Sequence, residues 1–380
     1  MKKIKDKIIR FIKKETILFV SSVIAIISMI IVPPSKEYIS YIDFRVLSLL
    51  LCLMLVMAGL KGLGIFDRLM HLLLKHIKNT RQLSFTLIIS CFLLSMWITN
   101  DVALITLVPF AIMICNETDN NKLLIPIIVL QTIAANLGSM CTPIGNPQNL
   151  YLYTASGMSV KDFLKLMTPL TLISFFLIII CLFIFDKKEL SYNCNIKNDN
   201  AVVDKTIKFK TVTYTFLLIL CLLTVLRLLD FKLLLLIILI AVALLEWRLF
   251  MKADYMLLLT FIAFFVFIGN IKQIDLINSF LHNIVTGNEV IVSILSSQII
   301  SNVPAAILLS GFTNDFSSLM IGTNIGGLGT LIASMASLIS FKYYADTEGS
   351  DKKKYILVFT ITNIIFLIIL IAAYFTCKSI

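Results

Sequence analysis

The chain has 380 residues, of which 59% are hydrophobic and only 14% are charged, with a mean hydropathy of +0.96. Soluble domains are roughly 45–50% apolar and about 25% charged, so this composition excludes a water-soluble protein. The net charge of +11 does not indicate nucleic-acid binding, because the Lys and Arg residues lie mostly between apolar runs. Such runs, many about 18 residues or longer, predict an all-α polytopic protein of the cell (plasma or inner) membrane.

The first elements in chain order are two predicted spans, at about 16–32 and 44–60. A basic segment, 61–81, follows, and its apolar residues fall on one helical side, which predicts an amphipathic helix in the cytoplasmic interface. The next apolar stretch, 83–115, is interrupted by Thr99-Asn100-Asp101. Either two full spans meet at a polar turn, or a re-entrant hairpin has its tip at mid-membrane.

A broken span follows this hairpin. It is interrupted at 136–139 and again at 142–149, where Asn, Gly, Thr and Pro replace apolar residues. A continuous span at about 161–185 then completes a predicted first repeat, 1–185, with its N-terminus in the cytoplasm. The polar, Lys-rich segment 186–211 is predicted to be a cytoplasmic linker.

The second half repeats this order of elements. An unpaired span, 212–230, precedes a predicted second repeat, 231–380. Within that repeat the predicted elements are spans at about 232–250 and 254–270, an amphipathic segment at 271–286, a hairpin at 289–312 broken at Ser301-Asn302-Val303-Pro304, a broken span at 317–344, and a last span at 355–377.

Scarce polar residues and glycines align between the halves. The matched pairs are Asn100 with Asn302, Asn136 with Asn324, Gly138 with Gly326, and Thr142 with Thr330. One unpaired span between the repeats reverses the direction of the second. This predicts two inverted repeats with re-entrant hairpins and broken transmembrane helices, about nine full spans plus two hairpins. Broken segments at matching positions of inverted halves are a pointer to a transporter's binding site.

The broken segments have the chemistry of a substrate and ion site. Unpaired backbone groups are tolerated in a membrane only where protein buries them or where they line a cavity. The N-terminal ends of half-helices attract anions, and carbonyl-rich ends suit Na⁺. The candidate site residues are Thr99, Asn100 and Asp101 in the first hairpin, Asn136, Gly138, Thr142, Gly145, Asn146 and Asn149 in the first broken span, Ser301 and Asn302 in the second hairpin, and Asn324, Gly326 and Thr330 in the second broken span.

Asp101 is the acidic residue of these broken segments, and burying it is costly. It is either a carboxylate that couples transport to Na⁺ or H⁺ or a helix N-cap at the hairpin turn, and the two roles are compatible. Val303 occupies the matching position in the second repeat, so any coupling through charge would be asymmetric.

The motifs at 99–104, 142–149 and 301–305 resemble those of the ion-transporter superfamily, within it the arsenite-permease, sodium/proton-antiporter and citrate-transporter-like anion permeases. The resemblance covers nearly the whole chain outside the termini and the linker. It implies a homodimer in which a scaffold domain holds the dimer and a transport domain moves as an elevator. In the dicarboxylate branch, Ser-Asn-Thr motifs at both hairpin tips bind carboxylate and Na⁺; here both third positions depart from Thr. The pair Asn100-Asp101 is instead similar to the arsenite-permease and antiporter branches.

The sequence therefore predicts a secondary active transporter of a small anion, such as a di- or tricarboxylate or an inorganic oxyanion, coupled to Na⁺ or H⁺. The alternatives are a sodium/proton antiporter and an arsenite-type efflux permease. No enzyme is expected, because the sequence has no HExxH motif and no Ser–base arrangement. No cofactor or metal is expected beyond the coupling Na⁺ or H⁺. The expected partners are the small anion, the lipid bilayer and a second copy of the chain, with no nucleic acid.

Overall fold

The protein is built from helices. The structure, a computed structural model, describes residues 15–74, 77–183, 185–189 and 205–378. Within these ranges the extended pairing is one isolated bridge between Asn79 and Glu189. The helices are α1 (Thr16–Ile31), α2 (Tyr38–Tyr41), α3 (Phe44–Gly62), α4 (Ile65–Leu74), α5 (Thr80–Ile98), α6 (Asn100–Glu117), α7 (Leu124–Ser139), α8 (Pro147–Ser156), α9 (Val160–Leu182), α10 (Lys205–Val225), α11 (Phe231–Glu246), α12 (Tyr255–Lys272), α13 (Asp275–Val285), α14 (Glu289–Ile300), α15 (Asn302–Ser310), α16 (Phe316–Ile325), α17 (Met335–Ala345) and α18 (Lys352–Lys378), with 3₁₀ turns at Asn121–Leu123 and Trp247–Lys252.

Nine helical segments in the described residues are long and apolar enough to cross a membrane, which confirms the all-α polytopic class. Their membership differs from the predicted spans in three ways. The two halves of the predicted broken span at 317–344, α16 and α17, have 10 and 11 residues and are not among the nine. The first predicted span forms α1, which has 16 residues and is shorter than the shortest of the nine segments, which has 18. Both arms of the first hairpin, α5 and α6, reach span length with 19 and 18 residues.

Several helices extend beyond the apolar runs that predicted them. α10 begins at Lys205, inside the segment 186–211 that was predicted as a linker. Hydropathy marks the part of a helix in the membrane core, whereas the helix itself continues into its polar flanks. Residues 190–204 of the linker, like residues 1–14 of the first repeat, lie outside the described residues. The boundaries of the repeats, linker and unpaired span stay predictions.

The order of helices is the same from α3 to α9 and from α12 to α18. Each series has a long helix, an amphipathic helix, two hairpin arms, two halves of a broken helix and a final long helix. Each series also begins with the same cap: an Oδ1 of Asp43 accepts the N–H of Val46, and that of Asp254 accepts the N–H of Leu257, both at 3.0 Å. This register aligns α3 with α12.

The centre of the molecule is α7, in which every residue except Pro126 is buried. The helices α5, α6, α9, α17 and α18 pack around it. Its C-terminal end carries the first break, Asn136 to Ser139, so the predicted site lies in the interior of the protein.

A second group of helices has a different burial pattern. α10 and α11 pack on α3, and α1 packs on α12. α1 and α11 each bury a single stripe and expose large apolar side chains elsewhere, as expected for helices that face lipid. The stripes are Ser21, Ala25 and Ser28 in α1, and Leu234, Ile238 and Val242 in α11. This second group contacts the rest of the protein where α3 packs on α8 and α12 packs on α15.

Candidate functional site

Both hairpins turn on a single residue with positive φ. α5 and α6 meet at Thr99 (φ 71°, ψ 150°), and α14 and α15 meet at Ser301 (φ 75°, ψ 154°). This backbone region is essentially restricted to glycine, and other residues occupy it at a cost of about 1–3 kcal/mol. The two polar breaks found in the sequence thus form the same one-residue turn.

The lengths of the arms bear on the two alternatives for the first hairpin. Those of the second hairpin, α14 and α15, are about 18 and 14 Å long, too short to cross a hydrocarbon core of about 30 Å. Those of the first, α5 and α6, are about 28 and 27 Å long, which fits either alternative. The tip residue Asn100 is nevertheless buried against the break between α7 and α8, which favours the re-entrant hairpin.

Each hairpin tip is bound to the broken helix of its own repeat through the backbone. The N–H of Asn100 donates to the carbonyl of Gly145 at 3.0 Å, and the N–H of Asn302 donates to the carbonyl of Ala333 at 2.9 Å. The side-chain oxygen of each Asn also accepts the N–H of the next residue, at 2.9 and 3.0 Å. These bonds satisfy N–H groups that the start of a helix leaves free.

A second contact of this kind uses the aligned threonines. The hydroxyl of Thr142 donates to the carbonyl of Met96 near the end of α5. That of Thr330 donates to the carbonyl of Gln298 near the end of α14, at 3.3 Å. Both breaks are therefore attached to the first arm of their hairpin at the same place.

The glycines of the breaks allow close approach of two backbones. A Cβ at Gly138 would collide with the carbonyl oxygen of Phe92 in α5. At the aligned Gly326 it would lie 2.8 Å from the Oγ of Ser297 in α14. Larger residues at these positions would force the hairpins away from the broken helices.

Buried side chains connect the two repeats directly. The Nδ2 of Asn146 donates to the Oδ1 of Asn324 at 3.0 Å, and the Nδ2 of Asn324 donates to the Oδ1 of Asn149 at 2.6 Å. The hydroxyl of Ser334 donates to the Oδ1 of Asn136 at 3.0 Å. Each repeat thus contributes to a single network of neutral polar groups.

Asn136 joins this network to the first hairpin tip. Its Oδ1 also accepts from the Nδ2 of Asn100 at 3.2 Å, and its own Nδ2 lies 3.5 Å from the carbonyl of Gly327. Asn302, at the second tip, packs beside the same Gly327. The side chain of Asn136 and the backbone at Gly327 therefore lie between the two hairpin tips.

A cavity of about 570 Å³ reaches the first tip, where it is lined by Thr99, Asp101 and Asn146. Its walls come from α3, the segment before α12, and α17. The Oδ1 of Asp101 is buried and has no hydrogen-bond partner among the described residues. Among all the residues that the structure describes, no three His, Cys, Asp or Glu side chains cluster as a metal site. A single carboxylate oxygen beside neutral amides suits a monovalent cation or a proton.

Most of the predicted site residues are thus adjacent to one another, and the exception is Thr330, whose side chain is exposed and takes no part in the amide network. Ser301 is buried, with its hydroxyl 3.4 Å from the carbonyl of Ala333 in its own repeat. Sequence reasoning missed Ser334. The alignment of Asn136 with Asn324 places Ser334 opposite Asn146, and this signal could have found it.

Comparisons with known proteins agree with this architecture. Residues 8–314 match the family described as Citrate transporter. An uncharacterized transporter of Methanocaldococcus jannaschii is 34% identical over 360 residues, 94% of this chain and 96% of its own length. Inner membrane protein YbiR of Escherichia coli is 31% identical over 320 residues, 82% of each chain.

A more distant relative shares a shorter region. A silicon efflux transporter of Oryza sativa subsp. japonica is 34% identical over 128 residues, 34% of this chain and 26% of its own length. These similarities, together with the nine apolar helices, identify an integral multi-pass membrane protein and a transport protein rather than an enzyme. The chain belongs to the citrate transporter family.

Proposed function

We propose that this protein is a secondary active transporter that moves a small anion, such as a di- or tricarboxylate or an inorganic oxyanion, in a process coupled to Na⁺ or H⁺. The observation that carries the proposal is the repeated geometry of the two hairpin tips. Each turns on one strained residue, each binds the broken helix of its own repeat, and both adjoin a shared network of buried amides.

The anion would bind among the half-helix ends. Four helices begin near the amide network: α6 and α15 at the hairpin tips, and α8 and α17 at the breaks. Their N-terminal N–H groups and positive dipole ends therefore lie near this network. Asn100, Asn146, Asn149, Asn302 and Asn324 offer neutral donors beside them. A cavity of about 570 Å³ is large enough for a di- or tricarboxylate.

The coupling cation would bind at Asp101. Its unpartnered Oδ1 is buried beside the cavity, where an isolated charge is unfavourable and a bound Na⁺ or H⁺ would neutralise it. The same observation favours a second candidate function, exchange of Na⁺ for H⁺ or arsenite-type efflux, in which Asp101 would carry the cation and no organic anion would be moved.

Movement would follow an elevator mechanism. The helices around α7 would form the transport domain, and those packed on α3 and α12 would form the scaffold that also holds a homodimer. The small number of helix pairs between the two groups supports this division.

The test is flux into proteoliposomes by the Asn100→Ala and Asn302→Ala variants. Each would lose transport while still folding, because the change removes one amide from the tip. Asn283→Ala, on the exposed face of α13, is the matched control and should transport like the wild type. Normal flux in both tip variants would refute the site.

A further inference from the structure

We propose that Lys61 and Lys252 form a vestibule that selects small multivalent anions at the entrance of the cavity leading to the first hairpin tip. This inference rests on the proposed function, since it names the groups that would choose the substrate by its charge.

The two lysines lie on one wall of the cavity. Lys61 is in the last turn of α3, and Lys252 ends the 3₁₀ turn that follows α11. Both line the cavity that also reaches Thr99 and Asp101. The side chain of Lys252 is exposed, whereas the Oδ1 of Asp101 is buried, which places the lysine nearer the mouth of the cavity. The Nζ of Lys252 lies 3.9 Å from the position that a Cβ at Gly62 would occupy, so it adjoins the backbone next to Lys61. An anion on its way to the tip would pass both ammonium groups.

Neither ammonium group forms a close ion pair in the described residues, although Asp67 lies near enough to Lys61 to act on it electrostatically. In the described part of the chain, the close Lys–carboxylate pair joins Lys210 and Glu246, and neither vestibule lysine takes part in one. Two like charges in one partly enclosed space repel each other, and a multivalent anion between them would remove that repulsion. A monovalent anion could satisfy only one of the two.

The cavity is also lined by two carboxylates, and neither forms a close ion pair with a lysine in the described residues. Asp254 caps α12, with its Oδ1 accepting the N–H of Leu257 at 3.0 Å. Asp101 lies at the hairpin tip. The four charged side chains that line the cavity, two Lys and two Asp, sum to zero, and a cation on Asp101 would leave the cavity with one net positive charge. The vestibule would therefore hold an anion best when the coupling ion is bound.

The corresponding cavity in the other series of helices lacks this pair. It has a volume of about 460 Å³ and is lined by Lys272, Asp43 and Tyr41. The register that aligns α3 with α12 matches Lys272 with Lys61 and Tyr41 with Lys252. Desolvation raises the pKa of Tyr41 above its ordinary value, so its phenol is neutral at physiological pH. One cavity thus has two ammonium groups and the other has one.

The test measures thermal unfolding of the purified full-length protein in detergent, titrated with citrate, succinate or acetate at constant ionic strength. Lys61→Gln and Lys252→Gln should each raise the apparent Kd for citrate about tenfold, since each removes one charge-assisted contact. In the same variants, the apparent Kd for acetate should rise by less than half of the factor found for citrate. Lys252→Arg should retain citrate affinity, and Lys272→Gln, the matched control in the other cavity, should behave like the wild type.

Unchanged citrate affinity in both Gln variants would overturn the vestibule. If Asn100→Ala then still abolished citrate binding, the proposed function would stand without it. If none of the three anions stabilised the wild type, the vestibule and transport of a di- or tricarboxylate would both be refuted. Should Lys252→Gln fail to fold, Lys61→Gln carries the same comparison.

Discussion

The backbone at the hairpin tips can be tested with a pair of substitutions at Thr99. Thr99→Ala removes the side chain but keeps a Cβ at φ 71°, whereas Thr99→Gly removes the Cβ as well. The difference in free energy of unfolding between the two variants therefore reports the strain of the turn. We expect the Gly variant to be the more stable one.

The magnitude follows from two opposing terms. A non-glycine residue in this region costs about 1–3 kcal/mol. Glycine loses more backbone entropy on folding than alanine, which costs about 0.5–1 kcal/mol. The Gly variant should thus exceed the Ala variant by about 1 kcal/mol.

The assay is equilibrium unfolding in mixed detergent, with the same pair of substitutions at Thr213 as a control. Thr213 is half-buried in the middle of α10, and its hydroxyl donates to the carbonyl of Phe209, so both replacements lose the same group there. At this helical position Gly should be less stable than Ala by about 0.5–1 kcal/mol. Opposite signs at the two sites are expected. If Gly destabilised both sites equally, the strain argument would be wrong.

Two further substitutions test the contacts around the breaks. Gly138→Ala should destabilise the protein by about 3 kcal/mol in the same assay, because its Cβ would collide with the carbonyl of Phe92. Gly62→Ala should be neutral or slightly stabilising, because its Cβ would meet only the flexible Lys252 side chain, at 3.9 Å. Equal effects would contradict the close packing of the hairpin. Asn324→Ala should lower the free energy of unfolding by about 2–4 kcal/mol, since it removes two side-chain hydrogen bonds across the repeats and leaves the buried Oδ1 of Asn149 unpaired. Asn283→Ala should lower it little. A loss below 1 kcal/mol would exclude Asn324 from the network.

The paired architecture was predictable because scarce residues marked it. Asn, Gly and Thr are uncommon inside apolar runs, so the matches of Asn100 with Asn302 and Thr142 with Thr330 located the tips and the breaks. The structure gives both members of each pair the same backbone contacts. The all-α class followed from the apolar runs alone.

What the sequence could not supply was the set of contacts between distant elements. The alignment of the repeats places Ser334 opposite Asn146, but the hydrogen bond of its hydroxyl to Asn136 across the repeats is seen only in the structure. Lys252 directly follows an apolar run, as many residues at the ends of membrane spans do, and nothing around it in the sequence indicates a cavity. Its place beside α3 depends on how α11 packs, which no local pattern encodes. Helix ends were shifted wherever a helix continued past its apolar core, as at Lys205.

We propose that a cation bound at Asp101 drives transport. The most direct test is citrate uptake into proteoliposomes under an imposed inward gradient of Na⁺ or H⁺, by the wild type and by Asp101→Asn. We expect the wild type to accumulate citrate above its external concentration under one of the two gradients, and Asp101→Asn only to equilibrate it. Accumulation by Asp101→Asn equal to that of the wild type would contradict the coupling role of Asp101. No gradient-driven accumulation by the wild type would contradict coupled transport of citrate.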